Sequence, residues 1–510
     1  MAETTDVAGM RRHRILTTLA VMSATIMQAL DTTIVNVALP QMRGQLGATP
    51  DQISWVLTSY LISSGIFMLL TGYFSDRFGQ RRYLIFSIVG FTVASLLCGI
   101  ATSLDEIVLF RLLQGIFGAA LVPLAQSIMV QTFPLEERGR AMAIWGVGVM
   151  VGPILGPTLG GWVTEAISWR WTFFMNLPVG IFSALLAWRV VADSERRVRT
   201  MDWWGLLYLV CALGGLQFLL DRGGQNDWFD STQIRIAAAL SVAGFSAYLW
   251  HAMDKNVQTV FSPAIFRDRN FATASLLLAV LGMGLFGMLM LQPMMLGTLM
   301  GYPELTIGLM LAPRGIASMF SMMFVGRVIQ RVDPRVLIIV GVVIFTIGTH
   351  FTTQYNLEID QFWVIVPLLF QGAGLGLVFV PLSTVAFSTL DPRYAAEAAG
   401  IFSVLRTIGS AVGISIVATV MTDHSQIAWN QLGGFINTDN PALSDYLAQG
   451  GLALNAAQTP YILARELSRQ SGMLGMLDAY YLVAWSFAAM LPLVLLLRYK
   501  RPTPKLAGGH

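Results

Sequence analysis

The chain has 510 residues, of which 55% are hydrophobic and only 12% charged. Soluble domains carry about 25% charged residues, so the composition excludes an ordinary soluble protein of two or three domains. The net charge of +3 carries little weight before its placement is considered, and the two cysteines, Cys98 and Cys211, both lie in apolar runs, which excludes a disulfide framework or a zinc site.

Apolar runs of about 18 residues or more, the length a bilayer core demands of a helix, recur from end to end. They predict an all-α polytopic membrane protein with spans near 15–39, 53–72, 83–101, 105–130, 140–163, 173–191, 203–220, 232–251, 272–297, 306–325, 336–353, 361–386, 395–421 and 479–498, fourteen in all. The first run follows arginines but is longer than a signal-peptide core and has no small-residue cleavage site, so it is read as a retained helix. Basic residues in short flanks set the orientation. Arg11, Arg12 and Arg14 precede span one, Arg77, Arg81 and Arg82 follow span two, and Arg138 and Arg140 follow span four. Arg196, Arg197 and Arg199 follow span six, Arg327, Arg331 and Arg335 follow span ten, and Arg498, Lys500, Arg501 and Lys505 close the chain. Both termini are therefore expected on the cytoplasmic side.

Span one, MQALDTTIVNVALP in its second half, carries a carboxylate where lipid would be expected. An acid at a span centre costs roughly 2.5–3.5 kcal/mol on insertion scales. Thr25, Gln28, Asp31, Thr32 and Asn36 recur at steps of three or four, a polar stripe that should face a protein interior or a watery cavity. At about 1.5 Å per residue, Asp31 lies about 13 Å below Pro40, and Arg111 of span four lies about 12 Å below Ser103. The opposite charges are thus at matching depth. Burial raises a carboxyl pKa and a guanidinium lowers it, so Asp31 with Arg111 is a candidate proton-coupling pair; a permanent structural ion pair is the alternative.

GYFSDRFGQR (72–81) and GRVIQRVDPR (326–335) share Gly72/Gly326, Arg77/Arg331 and Arg81/Arg335 at one offset, and LQG (113–115) recurs as FQG (370–372). Both pairs fall at equivalent places in spans 1–6 and 9–14, with spans seven and eight between them. The expected domains are a six-helix bundle over 1–200, two inserted helices over 201–254, and a second bundle over 255–510 containing a long periplasmic loop at about 422–478. Two related halves with a site at their interface is a common secondary-transporter architecture. In span five, Gly148, Gly152, Gly156 and Gly160 recur every four residues, and Pro153 and Pro157 interrupt the backbone bonding. Such a small-residue face permits close helix approach, and the helix is expected to act as a seal or pivot between the halves; tight packing without a moving role is the alternative. In the Gly72–Arg82 turn, with Gly79, Asp76 is expected to cap the next helix end and pair with arginines, holding one conformation closed; arginines that serve membrane topology alone are the alternative.

These motifs resemble those of the major facilitator superfamily. GYFSDRFGQRR resembles its loop between helices two and three, RLLQGIFGAA (Arg111, Gln114, Gly115, Gly118) its fourth-helix motif associated with proton coupling, and GVMVGPILGPTLGG its fifth-helix antiporter motif. MQALDTTIVNVALP and WRWTFFMNLP are similar to the fourteen-helix drug:proton antiporter family, and LQFLLDRGGQNDWF to its EmrB-like branch. The second-half loop departs from the pattern, with Gln330 where the family has an acid, so the electrostatic role is assigned to the first copy alone. The resemblance implies a proton-coupled multidrug exporter of the bacterial inner membrane that works with a periplasmic membrane-fusion adaptor and an outer-membrane channel. The 422–478 loop is a contact candidate for them, or an ordinary solvated loop. The match also gives Asp221 and Arg222, at the end of span seven, a functional reading beyond an interfacial pair.

Spans 9–14 hold no central acid but two internal bases, Arg314 and Arg406. One central acid against three internal bases favours neutral or weakly acidic amphiphiles; either arginine could instead bind backbone carbonyls. The methionines clustered between Met283 and Met323, Met294 among them, suit a cavity that admits many apolar shapes, or fill lipid-facing positions. Gln28, Asn36, Gln114, Asp221, Arg222, Met294, Arg314 and Arg406 are the candidate cavity residues. No phosphate-binding loop of the G-x-x-x-x-G-K-[ST] type occurs, and the five scattered histidines form no catalytic or metal constellation. No enzyme activity, cofactor, metal or nucleic-acid partner is expected. A proton-independent facilitator for one metabolite is the alternative function.

Overall fold

A computed structural model describes residues 2–134, 136–194, 196, 200–254, 259–437, 440–449 and 458–498. Arg197, Arg199, Lys500, Arg501 and Lys505, used above for orientation, lie outside the described residues. All regular structure among them is helical, as hydrocarbon requires of a chain that must bond its own backbone groups. The helices before the midpoint are α1 (Ala2–Leu46), α2 (Trp55–Leu69), α3 (Thr71–Phe78), α4 (Gln80–Ile100), α5 (Leu104–Gly118), α6 (Leu121–Thr132), α7 (Arg138–Ala166), α8 (Asn176–Val190), α9 (Trp203–Arg222) and α10 (Thr232–Ala252). They are followed by α11 (Arg269–Met294), α12 (Glu304–Val328), α13 (Pro334–Thr352), α14 (Gln361–Ala386), α15 (Ala395–Gly433), α16 (Pro441–Gln449) and α17 (Thr459–Ala488). Side chains supply the missing partners at several N-termini: Ser103 accepts from the Glu106 N–H, Asp202 from Gly205, Asp268 from Phe271 and Asp333 from Arg335.

Twelve helices among the described residues are long and apolar enough to cross a membrane, and α2 with α3, which meet at 55°, completes a thirteenth. The stretch expected as the eighth span forms the helix α10, 21 residues long and packed on α9. It is not among the thirteen because Gln233, Arg235, Ser241 and His251 dilute its apolar character. The segment 422–478 is not the open loop expected of it. Its described residues are largely helical, as the end of α15, all of α16 and the first two-thirds of α17.

Helices α1, α4, α5, α7 and α8 pack among themselves, as do α11, α12, α13, α14, α15 and α17. The two sets meet along α7–α12, and where α15 lies on α2, α3 and α6. At the end that carries the Gly72–Arg82 turn this seam is closed. A Cβ on Gly72 would come within 2.7 Å of the Glu397 Cβ, and one on Gly400 within 2.7 Å of the Met68 carbonyl. Gly139 lies against Ile329, and the Gln330 amide donates to the Glu136 carbonyl. Helix α9 touches both α2 and α15, and the three enclose a small apolar pocket lined by Leu61, Leu213, Leu220 and Val404.

Candidate functional site

Five helices of the first set deliver polar side chains to one point. α1 brings Asp31 and Gln28, α2 brings Tyr60, α4 brings Ser95, α5 brings Arg111 and Gln114, and α8 brings Asn176. Asp31 is 0% and Arg111 1% exposed, and Arg111 Nη1 donates to Asp31 Oδ2 at 2.7 Å. Asp31 Oδ1 accepts from Gln114 Nε2 and from Asn176 Nδ2, each at 2.9 Å. Ser95 Oγ takes further bonds from both amides, at 3.2 and 2.9 Å. Arg111 is held in turn by the Val56 carbonyl (3.1 Å) and by Gln114 Oε1 (2.7 Å), with its guanidinium 4.1 Å from the centre of the Tyr60 ring. Gln28 Nε2 donates to the Tyr60 hydroxyl at 3.0 Å. A buried ion pair persists only when its remaining valences are met, and here the surrounding donors and acceptors meet them.

The depth match between Asp31 and Arg111 is thus a direct contact. Asn176 and Ser95 were not singled out from the sequence. Asn176 stands in the quoted WRWTFFMNLP, where a lone amide in an apolar run is the available signal. Gln114, expected in the cavity, is fully buried in this cluster with its amide committed to Asp31, Arg111 and Ser95. Gln28 is buried beside it, whereas Asn36, the last member of the stripe, is exposed.

Helix α7 does lie between the two sets of helices, but its glycine ladder is not the face that meets α12. It packs on α1. A Cβ at Gly148 would meet Met22, one at Gly152 the Ala29 backbone, one at Gly156 Thr33, and one at Gly160 Ile34. The Thr33 hydroxyl also donates to the Gly152 carbonyl at 2.9 Å. Four-residue spacing places all four on one face, and that face meets the segment on either side of Asp31. The seam with α12 is formed by other α7 residues, Ala143, Ile154 and Thr158, against Gly326, Gly315 and Gly308. Helix α7 is continuous through Pro153 and Pro157.

In the turn, Gly79 has φ +85°, a conformation that favours glycine, and it lies against the Asp193 carboxylate. The first N–H of α4, on Gln80, is capped by Ser194 Oγ at 3.0 Å rather than by a side chain from the turn itself. Arg81 donates to the Trp188 carbonyl, Asp76 is half-buried and Arg77 exposed. Asp221 and Arg222 join α9 to α2. The Thr58 hydroxyl donates to Asp221, and Arg222 bonds Ser54 Oγ at 2.7 Å with its guanidinium 5.0 Å from the Trp55 ring centre.

The second set has its own buried polar group. Arg314 Nη1 donates to Gln292 Oε1 at 2.7 Å, and Gln292 Nε2 donates to Gln371 Oε1 at 3.0 Å. Met294 is half-buried one turn-end beyond Gln292, and Arg406 is half-buried on α15. Among the described residues no three His, Cys, Asp or Glu side chains are grouped as a metal site would need.

The model of the Major Facilitator Superfamily matches residues 21–414. Multidrug export protein EmrB of Haemophilus influenzae is 34% identical over 483 residues, 94% of each chain. Fatty acid resistance protein FarB of Neisseria gonorrhoeae is 33% identical over 97% of each, and Multidrug export protein EmrB of Escherichia coli K12 is 32% identical over 94% of each. Among solved structures, the human organic anion transporter MFSD10 superposes with a TM-score of 0.59 at 14% identity, covering 93% of this chain and 99% of that one. The proton:xylose symporter XylE gives 0.58 at 14% identity, over 96% of this chain and 100% of that one. The likeness to these two shows the fold alone. With the family's model matched over most of its length and relatives above 30% identity along nearly all of it, the chain belongs to the Major Facilitator Superfamily and is a multi-pass membrane transport protein.

Proposed function

We propose that the protein is a proton-coupled multidrug antiporter of the bacterial inner membrane, of the fourteen-helix type, with two six-helix bundles, an inserted pair of helices and both termini cytoplasmic. It exports hydrophobic and amphiphilic compounds by alternating access and docks on a periplasmic adaptor and an outer-membrane channel. The relatives named for multidrug export and fatty acid resistance support the substrate class. The observation that carries the reading is Asp31, fully buried and bonded to Arg111.

The coupling follows from hydrogen-bond chemistry. Ionised Asp31 can only accept, and it faces donors on every side: Arg111, Gln114 and Asn176. A proton turns one of its oxygens into a donor and opposes it to a donor, so a neighbouring helix must give. The glycine face of α7 is seated on α1 at Ala29 and Thr33, so a shift of α1 carries α7, whose other face forms the seam with α12. Inverted vesicles with an imposed proton gradient test this through uptake of a fluorescent amphiphile. Asp31→Asn is expected to abolish gradient-driven uptake; a variant that keeps it would overturn the assignment of Asp31 as proton carrier.

Gly72, Asp76, Arg77, Gly79 and Arg81 serve as the cytoplasmic gate. Gly72→Val places branches against the Glu397 Cα and Cβ and is expected to part α3 from α15. A cysteine replacing buried Ser403, in a background without Cys98 and Cys211, should then react several-fold faster with a maleimide applied from the cytoplasmic side. An unchanged labelling rate would remove Gly72 from the gate.

A further inference from the structure

The offset of 254 residues that relates Gly72 to Gly326 also relates Tyr60 to Arg314, and the offset of 257 that relates Gln114 to Gln371 relates Arg111 to Leu368. The two polar clusters are built on this repeat. In each, the glutamine of the Q-G pair is fully buried and the glycine lets its helix touch a neighbour: a Cβ on Gly115 would come within 2.6 Å of the Tyr60 carbonyl, and one on Gly372 would strike the Arg314 carbonyl. In each, that glutamine bonds a polar side chain from the first helix of its set, Asp31 for Gln114 and Gln292 for Gln371. The cation, however, has moved. In the first set it is Arg111, lying over Tyr60; in the second it stands at the Tyr60 position, and Leu368 fills the Arg111 position. The polar partner from the first helix is Gln292, 261 residues after Asp31 and so on neither offset. Among the described residues the second cluster holds a cation and no carboxylate.

Hydrogen-bond direction sharpens this. Arginine can only donate, so Gln292 must turn its oxygen to Arg314, at 2.7 Å, and its NH2 to Gln371. Gln371 must then turn its oxygen to Gln292, at 3.0 Å, and its own Nε2 is left buried without a partner. Arg314, 7% exposed, has its one hydrogen bond among the described residues to this neutral amide, and makes no ion pair among them. The chain of bonds therefore has the Arg314 cation at one end and the unpartnered Gln371 Nε2 donor at the other. Such a group is unfavourable until an anion meets it.

Its position suits a solute. Arg314 lies ten residues into α12, about 15 Å from the start of that helix, against a hydrocarbon core about 30 Å thick. Its neighbour Gly315 rests on Ile154 of α7, so it borders the seam between the two sets. Pro293 and a π-helical turn at Met295–Leu299 follow Gln292 directly, and such irregular turns are often found at functional sites.

We infer that Arg314, with Gln292 and Gln371, anchors the anionic head of an amphiphilic substrate, so that the preferred cargo is a carboxylate or comparable monoanion with an apolar body. The inference rests on the export reading above for calling the ligand cargo, but not for its binding. Accordingly, its test needs no proton gradient. Purified full-length protein in phosphatidylcholine nanodiscs is titrated with 1-pyrenebutyrate and with its methyl ester, which share a body and differ in the charge. Wild type should bind the acid at least about tenfold more tightly than the ester, the scale of a charge-assisted hydrogen bond. Arg314→Gln should remove that preference, weakening binding of the acid more than binding of the ester. Equal binding of the two by wild type, or an undiminished preference in Arg314→Gln, overturns the inference. Gln292→Glu supplies the missing carboxylate and gives a second reading if Arg314→Gln does not fold: loss of the preference supports the assignment, and retention refutes it. Phosphatidylglycerol added to the nanodiscs separates solute from lipid. If it displaces the acid from wild type and binds through Arg314 in its place, the site belongs to a lipid headgroup and the cargo assignment falls. Failure of gradient-driven uptake in vesicles, with this preference intact, would instead sink the antiport reading and leave the anion site standing.

Discussion

Arg111→Leu is expected to destabilise the protein by about 3–5 kcal/mol, the range for breaking a buried ion pair by deleting one partner, and to abolish gradient-driven uptake. The size follows from what is left behind. Asp31 at 0% exposure keeps two amide donors but loses its countercharge, and Gln114 Oε1 and the Val56 carbonyl lose donors too. Asp31→Asn should destabilise too, because it leaves Arg111 buried without its countercharge and turns an NH2 toward groups that donate. The double variant Asp31→Asn/Arg111→Leu removes both charges together and should recover most of the stability, while transport stays absent. Thermal unfolding of the two single variants and the double variant in detergent closes the cycle. A double variant no more stable than Arg111→Leu would mean the two residues do not act as a pair.

The second large effect concerns Gly152. Any side chain there begins inside the Ala29 carbonyl of α1, and the obstacle is backbone that cannot swing aside. Gly152→Leu should cost more than the usual overpacking range of about 1–3 kcal/mol, seen as loss of folded protein in size-exclusion chromatography or, if it folds, as lost uptake. Gly214 of α9 is the control: nothing lies within 4 Å of an added Cβ, and Gly214→Ala should stay within about 1 kcal/mol of wild type, on the stabilising side. Equal behaviour of the two variants would refute the close α1–α7 contact.

The parts legible in the sequence were those with one-dimensional signals. Asp31 and Arg111 could be matched because depth in a bilayer is a linear count from a helix end. The seating of the ladder could not, since spacing tells which residues share a face but not which helix that face meets; the small face went to α1 and not to the seam. Asn176 and Ser95 escaped because an isolated amide or hydroxyl in an apolar run has no spacing to betray its partners. The segment 422–478 was read as a loop because hydropathy ends where the bilayer does, whereas α15 and α17 continue past it. The Tyr60–Arg314 correspondence was present at the same 254-residue offset as the turn motif, but gained meaning only when the two clusters could be laid side by side.

The attachment of α9 has a bearing on how a lipid-dissolved solute reaches the interior. At one end it is pinned to α2 by polar bonds through Asp221 and Arg222, while against α15 it offers Leu213, Leu220 and their neighbours. On the alternating-access reading proposed above, it is expected to travel with the first set and to slide on the second, covering the α2–α15 crevice. Sideways entry from the membrane leaflet is then expected to be shut on that flank, and a compound partitioned into the bilayer to come in from another direction.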